Sequence, residues 1–251
     1  MLPPVLAAFA DDAARGVSQR LGAALVGVYL AGSAAVDDVW MATSDLDLVA
    51  VSASAVSAAT RDALVDDLLR LAAQAPVRRL EFVLYRRDQA ARPDGSFELN
   101  LNAGPRMATR VEAGRGASPD FWFIIDAALL RATARALVGP PAEELFGPVA
   151  DDDLRAALDR SLAWHRDHGD RPHASVLTAC RAWHFTAERR WASKSAAGRW
   201  AAARDAAAAA LIRAALAYRE GTRRVELPAA QAAAFVEQVR QRLQAPAGGS
   251  D

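Results

Sequence analysis

The chain has 251 residues, 52% hydrophobic and 24% charged, enough apolar material for one large domain or two modest ones and too much for wholesale disorder. Its 30 basic and 30 acidic residues cancel to a net charge of +0, without the basic excess expected of a chain that holds a long nucleic acid. The single cysteine, Cys180, excludes an intramolecular disulfide framework and a multi-cysteine zinc site.

No apolar run reaches the ~18–20 residues that span a bilayer. The first residues carry no positive charge and run straight into Asp11-Asp12, so no signal peptide is read there. The expectation is a cytoplasmic protein with no membrane partner. Lys194 is the only lysine; every other basic residue is an arginine, and alanine is abundant throughout. An individual arginine or alanine therefore says little, and the lysine says more.

Taken in chain order, Pro4 to Leu21 predicts a helix, with Leu6, Phe9, Ala13 and Val17 at helical spacing. Ala24 to Leu30 is a short apolar run rich in Val and Tyr that ends at Ala31-Gly32-Ser33, which predicts a buried strand leading into a turn. Leu46 to Val51 is a second strand, Thr60 to Ala75 an amphipathic helix, and Arg79 to Tyr85 a third strand. Gly95 to Asn102 reads as strand or extended chain, and Trp122 to Leu137 as a helix stopped by Val138-Gly139-Pro140-Pro141. Alternating strands and helices imply helices packed on a sheet.

Strand signals nearly vanish after Pro148. Asp151-Asp152-Asp153 puts carboxylates at a helix N-terminus, where the dipole favours them. Further helices are predicted over Ala174 to Glu188, after a Ser193 cap as far as Trp200, over Asp205 to Glu220, and from Pro228 onward. The tail from about residue 244 is expected to fray. The resulting fold class is α+β. A mixed sheet with helices fills residues 1–149, and an all-α helical bundle fills residues 150–251.

The chemistry concentrates in Ala31-Gly32-Ser33 and Ser44-Asp45-Leu46-Asp47. Strand side chains alternate, so Asp45 and Asp47 project to one side. Two neighbouring carboxylates repel unless something positive lies between them, and Mg²⁺ is a hard cation suited to oxygen ligands. A Gly-Ser turn offers backbone N–H groups to phosphate oxygens. Glu81 stands inside the otherwise apolar Leu80-Glu81-Phe82-Val83-Leu84, where a carboxylate needs a partner. If the two strands are neighbours, three carboxylates converge. Two can hold Mg²⁺ on a triphosphate, and the third can accept the proton of an attacking hydroxyl. His165, His168 and His173 lack a clear fourth ligand and read as a polar loop; no Gly-x-x-x-x-Gly-Lys run exists, which excludes a P-loop.

Gly32-Ser33, a spacer, and Ser44-Asp45-Leu46-Asp47 resemble the signature of the polymerase-β-like nucleotidyltransferase superfamily. The run Leu137-Val138-Gly139-Pro140-Pro141-Ala142-Glu143-Glu144-Leu145-Phe146 resembles the domain junction of the aminoglycoside adenylyltransferases that modify streptomycin and spectinomycin. Thr178-Ala179-Cys180-Arg181-Ala182-Trp183 and Ser193-Lys194, before Ala196-Ala197-Gly198-Arg199-Trp200, resemble their C-terminal helical domain.

The resemblance implies a nucleotidyltransferase domain followed by that helical domain. It implies Asp45 and Asp47 as Mg²⁺ ligands, Glu81 as base, and Gly32, Ser33 and Ser44 at the nucleotide phosphates. Arg181, Lys194 and Tyr218 would meet ATP, the co-substrate, which is placed between the domains.

Two departures fall on the acceptor side. Streptomycin-modifying members carry a tryptophan shortly after the Glu-Leu motif, whereas Glu98-Leu99 is followed by Asn100-Leu101-Asn102-Ala103-Gly104-Pro105. The loop from Trp164 to His173 also departs from the family's acidic text. The expected reaction is adenylyl transfer to a hydroxyl of an aminoglycoside or aminocyclitol, with Glu98, Asp167 and Asp170 meeting the ammonium groups of a cationic small-molecule acceptor. The expected state is a monomer without a long nucleic-acid partner. The alternatives are the same chemistry on another small molecule, a protein or an RNA end, and a degenerate nucleotide-binding module without turnover.

Overall fold

The structure, a computed structural model, describes residues 2–105, 107–114, 116, 118–169, 171–224 and 226–244. The chain divides into two compact units, Met1–Ala150 and Asp151–Asp251.

The first unit is built on a six-stranded sheet. Its strands are β1 (Leu25–Leu30), β2 (Leu46–Ser52), β3 (Leu80–Arg86), β4 (Leu99–Gly104), β5 (Met107–Ala113) and β6 (Arg135–Val138), in the order β5-β4-β3-β2-β1-β6. Only β2 and β3 run parallel; the other neighbours are antiparallel. Helices α1 (Pro4–Leu21) and α3 (Ala58–Ala72) belong to one face, with α5 (Asp120–Thr133) and the short α6 (Ala142–Leu145) on the other. Two further short helices, α2 (Gly32–Ala35) and α4 (Arg87–Ala91), follow β1 and β3.

Alternation sorts the strand residues. Leu46, Leu48 and Ala50 of β2 and Leu80, Phe82 and Leu84 of β3 join the core under α1 and α3. Val49, Val51 and Tyr85 point the other way, into a cluster with Phe97, Phe123, Leu130 and Phe146. Helix α1 begins with proline in its first turn and buries Leu6, Phe9, Ala13 and Val17 along one stripe. Helix α3 is capped by Ser57, whose hydroxyl accepts a hydrogen bond from the Thr60 amide at 3.1 Å.

The predicted helix from Trp122 to Leu137 is shorter in the structure. It stops at Thr133, and Arg135–Val138 forms the edge strand β6 against β1. Alanine and leucine kept the local text helical, but the open edge of β1 offers a ladder of unpaired backbone groups, and pairing there wins. Gly139, at φ 91, makes the turn that follows; a side chain there would run into the Val26 carbonyl.

The second unit is helical: α7 (Asp151–Asp167), α8 (Pro172–Glu188), α9 (Lys194–Arg204), α10 (Ala209–Arg219) and α11 (Ala229–Gln244). Small residues let the helices approach closely. A Cβ on Gly198 of α9 would press on Leu177 of α8 and Leu216 of α10, both at 2.9 Å. Cys180 is buried there, and burial pushes its thiol up to about 12, which leaves it inert. Ser193 caps α9 by accepting from the Ala196 amide at 3.1 Å. Asp205, buried between helices, accepts from the Ala208 amide at 2.9 Å and from Arg242 at 2.7 Å. Among the described residues no helix is long and apolar enough to cross a membrane.

Candidate active site

The parallel pairing of β2 and β3 sets Asp47 opposite Glu81. Directly paired residues share a face, so these two carboxylates stand side by side, as the sequence expected of neighbouring strands. Gly32, at φ 54, lies against Asp47: a Cβ there would overlap its Oδ2. Only glycine suits both that backbone and that contact. Ser33 follows in the first turn of α2. The Ala31 amide donates to the Asp47 carbonyl at 2.9 Å, which ties the turn to the head of β2.

Asp45 sits just before β2 and is held by arginines. Arg78 donates to its Oδ1 through Nε at 2.8 Å and grips Oδ2 through Nη2, while Nη2 of Arg79 lies 3.1 Å from the same Oδ2. Arg79 also pairs with Glu81. The full convergence of three carboxylates is therefore not what this structure holds: among the described residues no three His, Cys, Asp or Glu side chains are grouped to hold a metal. Two guanidiniums supply the balancing charge instead. The donors still fit Mg²⁺, since the carboxylates of Asp45 and Asp47 offer hard anionic oxygens, with Gly32 admitting close approach at Asp47. The sequence carried a signal for Arg79, because alternation puts it on the face of Glu81.

Ser44 is almost fully buried and its Oγ accepts from the Trp40 amide at 2.9 Å, so its hydroxyl shapes the loop into β2 here. Glu98 precedes β4, with a side chain only 12% exposed, and pairs with Nη1 of Arg86 at 2.5 Å.

A polar row that the sequence reading missed continues across the sheet. Register places Asn102 of β4 opposite Glu81 and Arg110 of β5 opposite Asn102. One pair further along, Asn100 faces Glu112. Asn102 donates to Asn100 at 3.1 Å, and Asn100 donates to Ser118 at 3.3 Å. Arg110 donates to Glu112 at 2.7 Å. Burial raises the Glu112 carboxyl, but hydrogen bonds from Ser118, Arg110 and Asn100 outweigh it and hold the group below its ordinary value.

In the second unit, Arg181 lies on α8, Lys194 opens α9 and Tyr218 lies on α10. His165 of α7 makes a 3.2 Å hydrogen bond with Ser175 of α8. Burial, and then the charges of Lys194, Arg181 and Arg171, push its imidazole down to about 3. Lys194 and Arg181 thus act on the same half-buried ring from different helices. Tyr218 is 42% exposed and stacks on His173 at 3.8 Å. The three histidines do not share a polar loop, because His165 is in α7 and His173 in α8; His168, just past α7, stacks on Trp164. Asp167 ends α7, more than half exposed and paired with Arg166 at 2.7 Å. Asp170 lies outside the described residues.

Residues 144–242 match the family of aminoglycoside adenylyltransferase C-terminal domains. An aminoglycoside (3'') (9) adenylyltransferase of Klebsiella pneumoniae is 33% identical over 198 residues, covering 74% of each chain. The chain belongs to the aminoglycoside adenylyltransferase family. A spectinomycin 9-adenylyltransferase of Staphylococcus aureus is 27% identical over 195 residues, again 74% of each chain. The fold is shared with a spectinomycin adenyltransferase from Enterococcus faecialis, solved with ATP and spectinomycin. Its TM-score is 0.73 at 17% identity, over 93% of this chain and 99% of that one.

Proposed function

We propose that this family member transfers the adenylyl group of ATP to a hydroxyl of an aminoglycoside or aminocyclitol and releases pyrophosphate. The observation that carries the reading is the pairing of Asp47 with Glu81 beside Gly32, in a chain that aligns with adenylyltransferases over most of its length. The acceptor oxygen attacks the α-phosphorus, its proton passes to the Glu81 carboxylate, and the bond to the β-phosphate oxygen breaks, so that pyrophosphate leaves with the electron pair. Asp45 and Asp47 would hold Mg²⁺, which when bound neutralises phosphate charge and polarises the phosphoryl oxygens.

Gly32, Ser33 and Ser44 on the first unit, and Arg181, Lys194 and Tyr218 on the second, are the residues we assign to ATP. Lys194 and Arg181 suit a polyanion because charge-assisted hydrogen bonds to phosphate are strong. Glu98, Asp167 and Asp170 remain assigned to the acceptor's ammonium groups. The enzyme is read as a cytoplasmic monomer, working where ATP is made.

The test is pyrophosphate release from ATP and Mg²⁺ with spectinomycin, streptomycin and further aminoglycosides as acceptors. Turnover with one of them, lowered at least ~100-fold in a folded Asp47→Asn protein, supports the reading. Tight ATP binding without pyrophosphate release on any acceptor would instead make the chain a nucleotide-binding module.

A further inference from the structure

The sheet face that carries Asp47 and Glu81 has two halves. Under α5 and α6 it is apolar, lined by Tyr29, Val49, Val51 and Tyr85. At the other end it carries the row Asp47–Glu81–Asn102–Arg110, each residue paired with the next across neighbouring strands. Strand β4 reads Leu99-Asn100-Leu101-Asn102, with both leucines in the core under α1 and α3 and both asparagines on the site face. Asparagine is depleted in strands, so two in alternate positions next to the base ask for a reason.

Asn100 has a structural one. It is 6% exposed and donates to Ser118, which is 8% exposed, and to Glu112 at 3.5 Å. A satisfied buried network of this kind fixes its members rigidly. Asn102 hangs from that network by one N–H, given to Oδ1 of Asn100, and is itself only partly buried. A carboxamide has a second N–H and an oxygen that accepts, a pairing that suits the hydroxyls and amines of a sugar-like ring. Its Cβ lies about 5 Å from that of Glu81 on the same face, given their direct pairing. Side chains rooted that close together on one face can reach two polar substituents of the same ring.

We propose that Asn102 determines acceptor specificity: its carboxamide, held by Asn100, Ser118 and Glu112, hydrogen-bonds the polar substituent next to the hydroxyl that Glu81 deprotonates. Asn102 touches the acceptor; Asn100 and Ser118 are positioning residues behind it. The inference rests on the adenylyl-transfer reading and adds to it the residue that reads the acceptor beside the reacting oxygen.

Steady-state kinetics of the full chain with spectinomycin or streptomycin, ATP varied separately, test this. Asn102→Ala is expected to raise the acceptor KM about 3- to 10-fold, the worth of one neutral hydrogen bond, with the ATP KM held within about twofold. Ser118→Ala, which leaves Asn102 in place but loosens its support, is expected to raise the acceptor KM less and to leave ATP alone. An acceptor KM unchanged in Asn102→Ala, in an enzyme that turns over, overturns the inference and leaves adenylyl transfer standing. Equal rises in both KM values would mark a structural residue and overturn it as well. A wild-type chain that turns over neither these two nor any further aminoglycoside removes the transfer reading, and this inference with it.

Discussion

Glu81 lies in β3 and Arg79 just before it, two positions away, and they are paired. Their roles separate by chemistry. Glu81→Gln keeps the shape and removes the basicity, so single-turnover adenylation is expected to collapse while calorimetric Mg·ATP affinity stays within a few fold. Affinity lost with the chemical step intact would make Glu81 a metal ligand. Arg79 does the opposite work. Its guanidinium lies between Asp45 and Glu81 and supplies charge that a divalent cation would also supply. Arg79→Gln removes that competitor. Mn²⁺ or Mg²⁺ titrated without nucleotide is expected to bind several-fold tighter, since a partly exposed charge pair is worth about 1 kcal/mol. The metal-free variant is expected to unfold at a lower temperature, because the carboxylates then face one another uncompensated. Unchanged metal affinity would show that Arg79 stays clear of the ion.

At the scale of elements, α7, α8 and α9 meet around His165. The ring bonds to Ser175, with Arg181 on α8, Lys194 at the start of α9, and Arg171 and His168 also acting on it. Its folded value of about 3 lies below the ordinary 6.5. Between those two values the unfolded chain takes up a proton that the folded chain refuses, so stability rises with pH across this window and is lost as pH falls from 6.5 toward 3. The slope is about 1.4 kcal/mol per pH unit, so roughly 2 kcal/mol disappears by about pH 5. His165→Asn keeps a hydrogen-bonding atom near Nδ1 and removes the titration. Urea unfolding at neutral and mildly acid pH is expected to show a smaller loss in the variant than in the wild type. Parallel losses would mean that the imidazole already takes its proton in the folded state.

The same scale shows what the sequence could and could not reveal. Periodicity located α1, α3, α7, α8 and the strands β1 to β3, because each repeats a core face over several residues. It missed β6, whose text is helical until the edge of β1 captures it, and β5, most of whose residues face outward with little apolar alternation. Gly32, Asp47 and Glu81 stood out because a glycine turn and carboxylates among apolar neighbours are locally costly. Asn102 did not, since its place beside Glu81 depends on the antiparallel register of β3 and β4, which no local pattern states. Arg78 and Arg79 were lost among the many arginines.

For the whole molecule, the two units carry different chemistry. The carboxylates Asp45, Asp47 and Glu81 belong to Met1–Ala150, while Arg181, Lys194 and Tyr218 belong to Asp151–Asp251, in which no metal motif was read. Whether the second unit contributes to nucleotide binding is decided at Lys194, the only lysine in the chain and the first residue of α9. The N-terminus of that helix is already favourable to an anion, and an ammonium there adds a full charge. A charge-assisted bond to phosphate contributes about 1.5–3 kcal/mol, so Lys194→Ala is expected to weaken Mg·ATP binding roughly 10- to 150-fold. Lys194→Arg is expected to recover part of the loss, since a planar fork does not replace a compact point charge. A lysine that merely decorates a solvated helix start would leave affinity and stability within about 0.5 kcal/mol in both variants. Calorimetric titration of Mg·ATP into the three proteins distinguishes these outcomes. Equal affinities would confine the nucleotide to the first unit and withdraw Arg181 and Tyr218 from the site together with Lys194.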